Sequence, residues 1–275
     1  MISVVPLSIG VTFKRVFSQP KVFKPFVKDV LGIDVNVSQI HTEYEYPKAV
    51  GHVKVKYDLF AEDTDQRIII EIQQSDFFHR FLFYHLMAII EQVKSYKGYQ
   101  TPKAVYTIVV LTSSPRDKSI EYSWAEMLMN AMNEFNKTVE IAPHKLIFLN
   151  PKKMNDKTPK AVKEWMALIT DSLDEKIDED RFKNSALFQH IIEEIKEENV
   201  SPEELAEIKD EYVWEETLRG SREEGLQEGV EQGRLTQQIR SAQEMIKRGF
   251  ADDDIAAVVD LSMERVDQIR GELTS

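Results

Sequence analysis

Two carboxylates and an amide stand close enough along this chain to build a single site. Asp58 is followed by twelve residues and then by Glu71-Ile72-Gln73, with the run Ile68-Ile69-Ile70 leading straight into the second acid. Such a pair suits a hard divalent cation. Mg²⁺ takes oxygen ligands, usually one or two carboxylates completed by water and substrate phosphate, at roughly 2.0–2.1 Å. Asp58 and Glu71 would supply the carboxylates and the backbone carbonyl of Ile72 a third oxygen, leaving Gln73 to orient a water or a phosphate oxygen. A cation held in this way polarises a phosphoryl group and lowers the pKa of the attacking water.

The acids need elements that bring them together. Residues 53–60 alternate as a strand does, 62–66 are polar and turn-like, and 67–73 are β-branched and apolar, so the segment reads as a hairpin. Asp58 meets Glu71 in such a hairpin if the first strand is bent or bulged at the acid. Around it, 13–31 reads as helix up to Gly32, broken or kinked by Pro20 and Pro25 into two pieces. A strand is expected over 39–46, a long helix over 77–96, a buried strand over 104–111, a helix over 123–133, a short strand over 144–149 and a helix over 159–170.

The Asp on one strand and Glu-x-Gln on the next resemble the PD-(D/E)xK nuclease superfamily in its Gln-bearing branch. The flanks narrow the resemblance. Thr12-Phe13-Lys14-Arg15-Val16-Phe17, Arg80 with Tyr84, and Gly98-Tyr99 ahead of Pro102 and the apolar 105–111 are similar to the recombination-promoting nuclease and transposase family. So are Gly225, Gly229 and Gly233, then 242–245, Gly249-Phe250 and Asp254-Ile255-Ala256. The resemblance implies a metal-dependent DNA endonuclease acting in recombination or transposition, with Mg²⁺, or Mn²⁺ in its place, as the ion. The element order, helix, three-stranded meander, helix, strand, is that of a restriction-endonuclease-like α/β core, a mixed sheet flanked by helices.

Two departures stand out. Family members commonly carry an Asp just before the Phe-Lys pair, where this chain has Gly10-Val11-Thr12. The nearest acids that could replace it in sequence are Asp29, Glu43 and Glu45, and the sequence does not choose among them. Gln73 also stands where many of these nucleases have a catalytic Lys. A neutral amide cannot stabilise developing phosphorane charge, so a cation must come from elsewhere. Lys56 is one source, because residues two apart on a strand share a face; Arg80 is the other. Lys14 and Arg15, beside Lys21, Lys24 and Lys28, offer a basic face for phosphates, and Arg80 with Tyr84, four apart on one helical face, a further substrate contact.

Composition excludes other chemistries. With no Cys there is no thiol nucleophile, Cys-based metal site or disulfide, which fits a reducing cytoplasm. His79 and His85 are six apart and face different ways on a helix, so a zinc site is not expected. Residues 1–10 lack the basic start of a secretory signal, and no apolar run approaches the roughly 18 residues of a membrane span. The net charge of −12 argues against a DNA grip until it is divided. Residues 1–118 hold 15 Lys and Arg against 12 Asp and Glu, and residues 119–275 hold 20 against 35. The acidity belongs to the second part, and DNA affinity should be weak and fall steeply with salt.

The division suggests a nuclease-like domain over 1–170, an acidic helical linker or oligomerisation helix over 171–234, and a helix-turn-helix-like all-α tail over 235–275. Gly220, Gly225, Gly229 and Gly233 each cost about 1 kcal/mol of helix propensity relative to Ala. Close approach of another helix, such as that of a second copy in a homo-oligomer, would offset that cost. Two readings of function follow. One is the metal-dependent endonuclease. The other is an idle nuclease fold serving as an oligomerising interaction module, favoured if Asp58 and Glu71 point apart or already have Arg or Lys partners.

Overall fold

The structure, a computed structural model, describes residues 1–46, 54–73, 78–93, 98, 101–112 and 121–274. It opens with β1 (Ile2–Ser3), α1 (Gly10–Phe17) and α2 (Pro20–Leu31). Pro20 takes the first turn of α2, where its missing N–H costs nothing, and Gly32, at φ +70°, ends that helix in the left-handed conformation. Pro25 is carried inside α2 without ending it. Next come β2 (His41–Glu45), β3 (Lys56–Glu62), β4 (Gln66–Gln73), α3 (Phe78–Ile90) and β5 (Ala104–Leu111). Phe77 and residues 94–96 of the expected long helix, residue 53 of the expected strand, and Tyr99 lie outside the described residues.

The next segment departs from expectation. Residues 123–133, with three Met, two Ala, a Leu and a Glu, read as a helix, yet they form β6 (Trp124–Leu128) and the start of a small hairpin, β7 (Ala131–Met132) with β8 (Thr138–Val139). Tertiary pairing overrides propensity here. The strand β9 (Lys145–Leu149) offers an open edge, and β6 pairs antiparallel to it from Trp124↔Leu149 to Leu128↔Lys145, with Lys145 and Glu126 bridged at 2.9 Å.

The six-stranded sheet has the order β2-β3-β4-β5-β9-β6. The meander β2-β3-β4 is antiparallel, β4-β5-β9 are parallel, and β6 returns antiparallel. Helix α3 lies between β4 and β5 in the chain and covers one face, with Met87 and Ala88 packed among Tyr57, Phe60 and Ile69. The other face carries the main core. There Leu59, Ile68, Ile70, Ile108 and Ile147 meet α1, α2 and α4 (Lys160–Ser172), and aromatic rings link the helices: Phe17 to Phe26 at 5.1 Å and Phe26 to Trp165 at 5.0 Å, with Phe13 stacked on Phe17 at 4.2 Å within α1. A mixed sheet with helices on its faces is the expected architecture, and a helical C-terminal region follows it.

The core does not stop at residue 170. β10 (Lys176–Ile177) pairs with β1, α5 (Glu179–Phe182) follows, and α6 (Ala186–Ile195) packs Phe188, Ile191, Ile192 and Ile195 into the main core, Phe188 lying 4.9 Å from Trp165. The compact unit runs from Met1 to Glu211. The acidic composition of 171–211 concealed this, because its acids lie mainly outside while every third or fourth residue turns inward. The carboxylate of Glu211, near the start of α7 (Pro202–Lys247), accepts the backbone N–H of Gly10 at 2.6 Å and of Val11 at 3.2 Å, satisfying donors that the first turn of α1 leaves open.

The second unit, Tyr212–Ser275, contains the rest of α7, α8 (Asp252–Val259) and α9 (Met263–Thr274). Ala242, Ile246, Ile255, Val259, Val266 and Ile269 form its small core. Gly249, at φ +82°, follows the end of α7, and Ser262 Oγ accepts the N–H of Arg265 at the start of α9. Among the described residues no helix is long and apolar enough to cross a membrane.

Candidate active site

The hairpin that carries the acids closes on Asp63, whose side chain accepts the N–H groups of Asp65 (3.0 Å) and Gln66 (2.9 Å). From this turn the β3–β4 ladder runs regularly, Glu62↔Arg67 to Leu59↔Ile70, and stops. Both strands continue, β3 paired with β2 back to Lys56 and β4 paired with β5 out to Gln73. The acids sit at the first position past the ladder. There Ile72 N–H donates to Asp58 Oδ2 at 3.0 Å, and Asp58 N–H donates to Glu71 Oε1 at 3.2 Å. Side-chain oxygens have taken the place of the main-chain carbonyls that would have continued the ladder.

A break in strand phase causes this opening. Side chains alternate faces along a strand, so residues three apart should lie on opposite sides. Tyr57 and Phe60 instead share the α3 face, their rings 6.1 Å apart, while Leu59 and Ala61 enter the main core. On β2, His41 and Tyr44 also share a face, with rings 5.5 Å apart. Both strands shift phase at one level, that of Asp58 and of Glu43, which the β2–β3 register sets opposite it. Glu43 has φ +55°, a left-handed conformation that costs a non-glycine residue about 1–3 kcal/mol. The pairing of β2 with β3 stays one-to-one on both sides of this level, so the strands change phase here without the extra residue of a bulge, and Asp58 falls directly opposite Glu71 in the line of the β3–β4 register.

Glu71 is 1% exposed. Burial, and then the neighbouring Asp58 carboxylate, push its carboxyl well above the usual range. Burial likewise raises Asp58, against the pull of the Ile72 N–H and of the Lys14 and Arg80 charges. Glu71 is thus buried and Asp58 half-buried, and the two carboxylates repel each other. Ile72 N–H points at Asp58, and in a strand the carbonyl of a residue points to the same side as its N–H, so the Ile72 oxygen faces the same opening. Among the described residues no three His, Asp or Glu side chains form a metal cluster. Two carboxylates and one carbonyl, completed by water and phosphate, nonetheless fit what Mg²⁺ accepts.

The structure gathers most of the other expected residues here. Gln73, two beyond Glu71 and on its face, accepts from Arg80 Nη1 at 3.0 Å, and the Arg80 guanidinium lies 5.0 Å from the centre of the Tyr84 ring. Lys14 of α1 acts electrostatically on both acids. Its ammonium is bound by Glu43, which also binds Lys56. Arg15 is not brought to the site. Its guanidinium donates to the Glu194 carbonyl at 2.7 Å and pairs with Glu204 at 3.3 Å, because consecutive helix residues point about 100° apart. Of the three acids that could replace the missing N-terminal one, Asp29 accepts from Trp165 Nε1 at 2.7 Å, Glu45 lies opposite Lys56 in register, and Glu43 stands beside the pair. The antiparallel register of β2 on β3 was the only signal that could have singled out Glu43.

The family model for PD-(D/E)XK nuclease family transposases matches residues 9–217, from the start of α1 to beyond the first unit. The chain belongs to this family. No curated protein and no solved structure matches it. Membership supports a nuclease-like function in transposition and implies DNA as the partner. PD-(D/E)XK nucleases generally use divalent metals such as Mg²⁺, in keeping with the oxygen donors found here. The tail glycines and terminal helices lie beyond the matched residues.

Proposed function

We propose that this PD-(D/E)XK family protein is a Mg²⁺-dependent endodeoxyribonuclease, accepting Mn²⁺, that hydrolyses phosphodiester bonds in transposition or recombination. The observation that carries the reading is the interlocked pair Asp58 and Glu71 where the β3–β4 ladder opens, Glu71 buried, Asp58 half-buried, and both carboxyls raised by that burial. Asp58, Glu71 and the Ile72 carbonyl would hold the ion. Bound there, it supplies Lewis-acid polarisation of the phosphate and acidifies the attacking water. Gln73, oriented by Arg80, positions a water or a phosphate oxygen. Arg80 and the lysines on Glu43, Lys14 and Lys56, supply the positive charge that a lysine at position 73 would otherwise give, and Tyr84 with Arg80 offers a face for the substrate.

The alternative of an idle interaction module required acids that diverge or that already have Arg or Lys partners. Asp58 and Glu71 instead interlock through backbone N–H groups, which favours the enzyme. The protein would act in the cytoplasm. Its C-terminal helices would form a homo-oligomer, with Gly225, Gly229 and Gly233 as the stripe of closest approach and the last three-helix segment as an independent module.

The test is nicking of supercoiled plasmid at low salt with Mg²⁺, Mn²⁺ or EDTA, beside Asp58→Ala and Glu71→Ala variants of verified fold. Metal-dependent nicking lost in both variants is expected. Nicking that survives both substitutions refutes the site, and no nicking by wild type at any protein concentration refutes the enzyme.

A further inference from the structure

We propose that Glu43 is a positioning residue that holds the Lys14 ammonium beside the Asp58–Glu71 pair, so that Lys14 takes the part a lysine at position 73 would have played. The inference rests on the nuclease reading above and assigns its cation.

The first observation is which cations reach the acids. Lys14 and Arg80 act on both Asp58 and Glu71, whereas Lys56 is coupled to Asp58. Arg80 already donates to Gln73. Lys56, which strand periodicity puts on the face of Asp58, is bound to Glu43 with its side chain 52% exposed, whereas the Lys14 side chain is 18% exposed and comes from a helix packed on the main core. A half-buried lysine on a rigid element is a defined charge; an exposed one on a strand end is not.

The second observation is the backbone under Glu43. A glutamate at φ +55° inside a strand is costly, and glycine would occupy the position without strain. Glu43 is not held there by apolar burial, because its side chain is 44% exposed. What its carboxylate does is bind two lysines at once, one from α1 and one from β3, at the level of Asp58. Backbone strain kept at a residue with no packing role points to a role at the site.

During hydrolysis the water oxygen bonds to phosphorus as the bridging P–O bond breaks, the water's proton passes to solvent, and the departing oxygen is protonated by solvent. Negative charge on the non-bridging oxygens grows at the transition state. An ammonium fixed beside them stabilises that charge without reorganising, and a mobile one must first be brought into place. Glu43 thus acts through Lys14 and needs no contact with the substrate.

The experiment compares wild type with Glu43→Gln, Glu43→Asp, Lys14→Met and Lys56→Met. Steady-state nicking is measured with Mg²⁺, DNA affinity in EDTA by fluorescence anisotropy, and Mn²⁺ affinity without DNA by calorimetry. Glu43→Gln and Lys14→Met should each lower kcat about 10²-fold, with Glu43→Asp recovering part of the loss and Lys56→Met having the smaller effect. Glu43→Gln removes a negative charge near the acids, so a purely electrostatic role would tighten DNA binding, lower KM and leave kcat alone; that outcome overturns the proposal. Lys14→Met removes a positive charge beside the metal ligands and should tighten Mn²⁺ binding about threefold or more. An unchanged Mn²⁺ affinity in Lys14→Met also overturns it, and can be read even if wild type fails to nick DNA, a failure that counts against the nuclease reading.

Discussion

Replacing Glu71 by Gln should make the metal-free protein more stable. Glu71 is buried beside a second carboxylate, and the residues around the pair offer it one backbone N–H and two cations acting at a distance. Gln has nearly the same shape and keeps the acceptor for the Asp58 N–H. The substitution relieves carboxylate desolvation and repulsion, about 2–3 kcal/mol at neutral pH, and weakens one charge-assisted hydrogen bond by about 0.5–1 kcal/mol. The net gain of about 1–2 kcal/mol corresponds to a rise in Tm of about 3–6 °C for a unit of this size. The sign with pH follows from the raised carboxyl. Wild type loses stability as pH climbs from about 4.3, the unfolded glutamate value, through the higher folded value, so the advantage of Glu71→Gln is absent in acid and grows as pH rises. Thermal unfolding by circular dichroism at about pH 4 and pH 8, in EDTA and in Mn²⁺, gives the reading. Mn²⁺ at about a hundred times its Kd adds about 2.7 kcal/mol to wild type and little to the variant, reversing their order. A variant less stable than wild type under the alkaline EDTA condition refutes the reasoning, because the acid would then be holding the fold.

Three further outcomes are expected. Burial and the neighbouring His144 push His85 down to about 4, so its neutral form carries stability that is complete above about 6.5 and lost as pH falls towards 4, about 3 kcal/mol in all; Tm against pH for wild type and His85→Gln should differ in slope across that window. Arg15→Ala should cost about 1–2 kcal/mol in denaturant unfolding through the lost Glu204 and Glu194 contacts, with nicking and DNA affinity unaltered; a selective loss of DNA affinity would return Arg15 to the substrate face. A methyl group at Gly225, Gly229 or Gly233 would stand in open space, so Ala at all three should stabilise the helical state of α7 by about 1 kcal/mol per site. If the glycines admit a partner helix, sedimentation velocity should show the triple variant dissociating, and an unchanged oligomer would exclude them from the contact.

The sequence by itself carried the local features. The alternation and the β-branched run marked the hairpin, and the expectation of a strand bent or bulged at Asp58 gave way to a one-to-one register that sets Asp58 opposite Glu71. Helix stops at Gly32 and Gly249 were legible because only glycine enters the left-handed conformation freely. Tertiary structure decided what periodicity and propensity leave open. Residues 123–133 have helix-forming composition and become an edge strand because β9 presents unpaired backbone groups. The first unit extends to Glu211 because Phe182, Phe188 and Ile192 complete a core whose other half comes from α1, α2 and α4. Adjacent basic residues on α1 part company, Lys14 to the acids and Arg15 to Glu204, because helix geometry separates neighbours by about 100° and only packing decides which one faces the sheet. Glu43 joins the site through the register of β2 on β3, a non-local pairing that residue types alone do not encode.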